Sequence, residues 1–256
     1  MSKGNNWTRE EHILAFNLYC QIPFGTIHMR NPKIKELGRL LQRSVGSVSR
    51  KLANFARLDP FLQQRGIKGL EHGARGEEEV WKEFIEQPEA LAFESERLLA
   101  DRLGTSVEQV SAIETDDLPA SGKEREAIVR VRVNQSFFRQ RVLSAYCFKC
   151  CVTGLTVRPL LVASHVIPWA KDTVNRLNPR NGLCLNALHD RAFDRGLMWI
   201  APEFVVRLSP KLREENNDSK ETIDWLMSFE GKPLLLPKKF QPDPELLAIH
   251  ASLCCH

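Results

Sequence analysis

At 256 residues, with 43% hydrophobic and 27% charged side chains, the chain has the composition of a globular protein of one large or two ordinary domains. No run approaches the roughly 18 apolar residues a membrane span needs, and the opening MSKGNNWTREEH lacks the apolar core of a secretory signal, so a cytoplasmic protein with no membrane partner is expected. A net charge of +4 is compatible with a polyanionic partner without demanding one, and seven unevenly clustered cysteines lack the spacing of a disulfide framework.

Residues 7 to 60 predict three short helices. Thr8 is placed to cap the first, with Glu10 and Glu11 in its first turn and Ile13, Leu14, Phe16 and Leu18 as apolar surface; Pro23, Phe24 and Gly25 end it. Asn31-Pro32 opens a second, with Ile34, Leu37, Leu40 and Leu41 at helical spacing. Ser44 starts a third, with Val45, Val48, Leu52 and Phe55 inward and Ser47, Ser49, Arg50, Lys51, Asn54 and Arg57 on its other face. Two tightly joined helices, the second rich in Ser, Arg, Lys and Asn, have the pattern of a helix-turn-helix. Arg50, Lys51, Asn54 and Arg57 are therefore candidate nucleic-acid contacts, although an amphipathic helix of an ordinary bundle would read the same way.

Residues 60 to 76 carry Pro60, Gly66, Gly69, Gly73 and Gly76, with basic Arg65, Lys68 and Arg75, and read as a connection. A helix is predicted from about Glu77 to Leu103, ended by Gly104, and the acidic stretch from Glu114 to Gly122 reads as the main linker. The expected organisation is a helical recognition domain over 1–76, a helix and linker over 77–122, and a second domain over 123–256. Within the last, Asn134 to Ala145 predicts a helix, Leu160 to Val166 a strand, Gly182 to Phe193 a turn plus helix, Trp199 to Leu208 a strand, and the tail from about Pro242 a helix. The class is α+β.

Arginines crowd one region: Arg125, Arg130, Arg132, Arg139 and Arg141, then Arg176, Arg180, Arg191 and Arg195. A solvated face explains such a run as readily as phosphate binding, which the planar guanidinium suits. Between them lies the most telling constellation. His165 ends the strand-like LLVASHVIPW, where Pro168 stops regular pairing. Sixteen residues on comes Asn181-Gly182, then the helical LCLNALHDRAFD, which puts Asp190 and Asp194 four apart on one face. Two carboxylates so placed repel unless a cation or an arginine such as Arg191 or Arg195 neutralises them. His189 lies about 100° round the helix from Asp190. A histidine able to activate water beside carboxylates able to grip a hard divalent ion is what phosphodiester hydrolysis requires.

The string CVTGL, then LLVASHVIPWAKD, RLNPRNGLCLNALHDRAFDRGL and the strand after it resemble the HNH (ββα-metal) endonuclease motif, more narrowly its bacterial restriction-endonuclease-like branch. RVNQSFFRQRVLSAY, LLLPKKFQPDPELLAIH and the N-terminal WTREEHILAFNLY and SVGSVSRKLANFARLDP resemble the same branch. The resemblance implies a helical DNA-binding domain followed by a ββα-metal nuclease domain, acting on double-stranded DNA with one divalent ion, Mg2+ or Mn2+. It makes His165 the general base, Asn181 the residue that fixes the histidine-bearing loop, Asp190 and Asp194 metal ligands with His189 ranked below them, and Arg195 a clamp on the phosphate; from the arginine run, Arg180 and Arg191 are further candidate DNA contacts. One departure is Ser164, where many members carry an acidic residue or histidine as a ligand. Cys147 and Cys150 have the spacing of half a structural zinc site, which Cys254, Cys255 and His256 would have to close; buried thiols are the simpler reading, and Cys184 reads as core. His12, His28, His72 and His250 are assigned no role. A restriction or defence nuclease, working as a homodimer because duplex cutting takes two nicks, is the leading expectation. A DNA-binding regulator on an inactive HNH scaffold and a structure-specific nickase are the alternatives.

Overall fold

The computed structural model describes residues 6–64, 66, 73–214, 220–237 and 239–254. Arg65, Lys68, Gly69, His72, Cys255 and His256, named above, lie outside them. Contacts divide the chain into two compact units, Met1–Arg141 and Val142–His256.

The first unit is helical among its described residues. Helix α1 (Arg9–Gln21) starts at Thr8 in a capping box with Glu11: each residue's side chain accepts from the other's backbone N–H, at 3.3 and 2.8 Å. Helix α2 (Pro32–Leu40) is capped by Asn31, which accepts from Lys33 N at 2.9 Å, with Pro32 at its first position. Helix α3 (Val45–Leu58) is capped by Ser44. The three predicted N-termini therefore stand. Short α4 (Pro60–Gln64) precedes α5 (Arg75–Phe84) and α6 (Pro88–Leu103). The single helix expected over 77–103 is two, because proline lacks the N–H and clashes with the preceding turn; Pro88 can begin a helix but not sit inside one. Gly104, in the left-handed region at φ 64°, closes α6. A one-turn α7 (Val107–Val110) follows.

Helix α8 (Lys123–Ala145) is eleven residues longer at its start than predicted. The stretch IVRVRV within it alternates apolar and charged residues and so carries no helical period. Contacts divide the chain inside this helix, at Arg141/Val142, rather than at the compositional change near Lys123. The core of the first unit is built on Ile13, Phe16, Tyr19, Val48, Leu52, Phe55 and Leu91, all nearly inaccessible, with the Phe16 and Phe55 rings 4.9 Å apart.

The second unit is built on two short antiparallel ladders. Strand β1 (Leu161–His165) pairs with β2 (Gly182–Asn186) in the register Leu161↔Asn186, Ala163↔Cys184, His165↔Gly182. Helix α9 (Ala187–Asp194) follows at once. The expected turn plus helix over 182–193 is thus corrected: GLCLN is a strand, buried at every position, and only Ala187 onward is helical. A run buried on both faces has no alternation, so it cannot be told from a buried helical turn. The strand expected over 199–208 is a hairpin of β3 (Met198–Ile200) and β4 (Val206–Leu208), turning through Phe204 at φ 64°. Helices α10 (Lys211–Glu214), α11 (Lys220–Met227) and α12 (Pro244–Cys254) complete the unit. Leu161, Leu183, Leu185, Phe193, Met198, Ile200, Val206 and Leu247 form its core. The His250 ring of α12 stacks on Phe193 of α9, centroids 3.8 Å apart, which ties the last helix to the one bearing the acids.

Candidate active site

The β1–β2 hairpin and α9 carry His165, Asn181, Asp190 and Asp194, and set His165 near Asp194. His165 sits on the last residue of β1, half-buried. Its Nε2 lies 3.0 Å from the Arg176 carbonyl. A carbonyl only accepts, so Nε2 carries the proton and the lone pair of the neutral ring is on Nδ1. Burial pushes the His165 pKa down, while the Arg176 carbonyl and the nearby Asp194 carboxylate pull it back up.

The loop between the strands is held by Asn181, fully buried. Its Oδ1 accepts from Ile167 N at 2.8 Å, and its Nδ2 donates to Ile167 O at 3.1 Å and Asn175 O at 3.2 Å. A primary amide supplies both an acceptor and two donors, which is why asparagine suits a place facing an N–H and two carbonyls at once.

Asp190 and Asp194 lie on α9 as the spacing required. Burial raises the Asp190 pKa and the Asp194 carboxylate adds to it; Ser164 and Arg191 oppose the shift. Ser164 Oγ is buried without a hydrogen bond of good geometry, yet lies close enough to Asp190 to favour its charged form. Among the described residues neither aspartate is in an ion pair, so Arg191 and Arg195 do not bridge them. The site therefore holds two carboxylates one helical turn apart and a buried hydroxyl beside Asp190, all hard oxygen donors.

No three His, Cys, Asp or Glu side chains converge among the described residues on a point a metal could occupy. An oxygen donor set of two carboxylates and a hydroxyl nevertheless fits Mg2+ or Mn2+, since Mg2+ is commonly held by one or two carboxylates with water and substrate phosphate filling its other positions. His189 is not brought to the aspartates. Its ring is wholly buried, edge-on to Trp225 and Phe229 at 5.4 and 5.1 Å, with Nδ1 on Asn186 Oδ1 at 3.1 Å. Burial alone lowers its pKa to about 4. The cysteines assemble no metal site among the described residues either. Cys147 is exposed, whereas Cys150 is buried and accepts from Asn186 N at 3.3 Å.

Asn186 escaped the sequence reading. It caps α9 through Leu188 N and His189 N, and holds both the His189 ring and the Cys150 sulfur. An Asn immediately before ALHD was the available signal, hidden because the helix was predicted to start earlier.

The arginines separate into two groups. Arg125 pairs with Glu108, Arg132 with Asp117, and Arg141 is buried. Arg180 is exposed but bonded to Asp243 at 3.2 Å. Arg191 and Arg195 are exposed on and just after α9. In the first unit, the polar face of α3 is largely occupied. Lys51 is buried against Glu77 and His12, Asn54 donates to Glu77 Oε1 at 2.8 Å, and Arg57 pairs with Glu78 at 3.0 Å. Of the four residues read as DNA contacts there, Arg50 alone is exposed and without a bond to α5 among the described residues.

No helix among the described residues is long and apolar enough to cross a membrane. No curated protein matches the chain. Residues 150–201, which contain β1, β2, α9 and the side chains of His165, Asn181, Asp190 and Asp194, match the family model of the HNH endonuclease, so this part of the chain is similar to that family as its residues had implied.

Proposed function

We propose that the protein is a metal-dependent DNA endonuclease that hydrolyses phosphodiester bonds, with His165 as the general base. The carrying observation is the juxtaposition of a strand-end imidazole, its Nε2 on a carbonyl that can only accept, with two carboxylates that form no ion pair among the described residues. In this reading Nδ1 of His165 takes the proton of the attacking water, and the Arg176 carbonyl keeps the ring in the tautomer that can do so. Asp190 and Asp194, with Ser164 Oγ beside Asp190, would hold a divalent ion. Such an ion, when bound, would supply charge stabilisation at phosphorus and on the departing oxygen. Arg195 and Arg191 bind DNA phosphates from the exposed end of α9. Asn181 acts on the loop and does not touch substrate.

The finer reading is a restriction or defence nuclease that acts as a homodimer on double-stranded DNA in the cytoplasm, with the helical first unit choosing the site. Arg50 is the α3 side chain exposed for that task. A second reading, a DNA-binding regulator on an inactive scaffold, is favoured by one observation: a serine at position 164 in place of an acidic ligand. Incubation of the purified protein with plasmid and Mg2+ or Mn2+ separates the two. The nuclease nicks or linearises DNA, and His165→Ala does not; DNA shifted but uncut on unmodified and modified substrates alike selects the regulator.

A further inference from the structure

The loop from Val166 to Arg180 is stapled by its own short polar side chains. Asp172 Oδ1 accepts from Val174 N and Asn175 N, both at 3.0 Å, and its Oδ2 accepts from Asn175 Nδ2 at 2.7 Å. Asn178 Nδ2 donates to Asn175 Oδ1 at 2.9 Å. Within this frame Arg176 is held at three points. Its carbonyl accepts from His165 Nε2 at 3.0 Å, its Nε donates to Trp169 O at 3.0 Å, and its guanidinium carbon lies 5.5 Å from the Trp169 ring centroid. The Trp169 ring in turn meets His165 edge-on at 5.7 Å. With Nε engaged, the planar fork of terminal nitrogens is left, and it forms no ion pair with a carboxylate among the described residues. Arg9, Arg43, Arg57, Arg75, Arg97, Arg125, Arg132 and Arg207 all have such a partner. A guanidinium held by one bond over the face of an aromatic ring, with no carboxylate on its fork among the described residues, is preorganised for the bidentate geometry of a phosphate.

We propose that Arg176 couples DNA binding to the general base: its side chain, braced on Trp169, binds a backbone phosphate, while its carbonyl holds the His165 proton on Nε2. The inference rests on the reading of His165 as the base. It makes Arg176 a phosphate contact and a positioning residue at once, and Trp169 the platform for both roles. Bound phosphate restrains the guanidinium, the guanidinium restrains the loop, and the loop fixes the ring that must accept a proton.

Two measurements in EDTA, where no cutting competes, test this on the full chain. The first is affinity for a labelled DNA duplex across about 50 to 200 mM salt, a range in which each lost phosphate contact lowers the slope of log K against log salt by about one. The second is the ring 15N spectrum of His165, which reports which nitrogen carries the proton. Arg176→Ala is expected to lose one unit of salt slope and to mix the two tautomers. Arg176→Lys keeps the charge but not the planar fork or the Nε bond to Trp169 O, so it is expected to keep the slope and still loosen the tautomer. Trp169→Phe guards against a folding failure in the arginine variants, and is expected to broaden the tautomer preference while leaving the loop's Asp172 and Asn175 bonds in place. An Arg176→Ala protein with the wild-type salt slope, or with an unaltered His165 spectrum, overturns the proposal. Cleavage surviving in His165→Ala would instead remove the assignment of the base, so the two failures are told apart.

Discussion

Helices α3 and α9 both carry polar faces that the sequence marks as functional, and they meet opposite fates. On α3, Lys51, Asn54 and Arg57 turn to Glu77 and Glu78 of α5, and the face becomes a helix–helix contact. On α9, Asp190 and Asp194 repel each other and form no ion pair among the described residues. A polar face answered by opposite charge within its own unit is structural. One that leaves like charges together, with no ion-pair partner among the described residues, is poised for something from outside. Polarity at helical spacing does not separate these cases; the identity of the neighbours does.

The contrast can be broken by substitution. On the α9 side, His165→Ala is expected to lower plasmid cleavage about 10²- to 10⁴-fold, the usual contribution of a general base, at a stability cost of only about 0.5–1.5 kcal/mol for the bond lost to Arg176 O. On the α3 side, Lys51→Ala leaves the fully buried Glu77 carboxylate without its countercharge, at a cost of about 3–5 kcal/mol by chemical denaturation. A Lys51→Ala protein of wild-type stability with weakened DNA binding would return α3 to the role of a reading helix.

Acid sharpens the comparison further. His189 and His250 are buried with pKa values lowered to about 4, against an ordinary value near 6.5. The unfolded chain therefore takes up more protons through that window, so stability present above about pH 6.5 falls as the pH drops towards 4, by an order of 2–3 kcal/mol for each ring. Denaturant midpoints measured from pH 7 to 4 report it; His250→Phe, which keeps the stack on Phe193, is expected to flatten the fall. The smallest effect belongs to the exposed arginines. Arg191→Ala and Arg195→Ala should change stability by less than about 0.5 kcal/mol, while each lowers the salt slope of DNA binding by about one.

What the sequence made legible follows the same physics. Thr8, Asn31 and Ser44 announced their helices because capping is a local bond between a short side chain and the next turn. The placement of His165, Asn181, Asp190 and Asp194 was legible because their spacing is fixed by one hairpin and one helix, and the family resemblance rests on that same stretch. The LCLN strand was missed because burial on both faces erases its alternation. Half of α8 was missed because IVRVRV has the period of a strand. The placement of Lys51 and His189 depends on Glu77, Trp225 and Phe229, residues 26 to 40 positions away, and no local pattern encodes such partners.

Titration with Mn2+ followed by the ring signals of the histidines addresses the metal site most directly. If α9 holds an ion beside the base, one equivalent of Mn2+ broadens the His165 ring resonances, and Asp190→Asn or Asp194→Asn abolishes the effect. Sharp His165 signals throughout the titration, or broadening that survives loss of both carboxylates, would contradict the account.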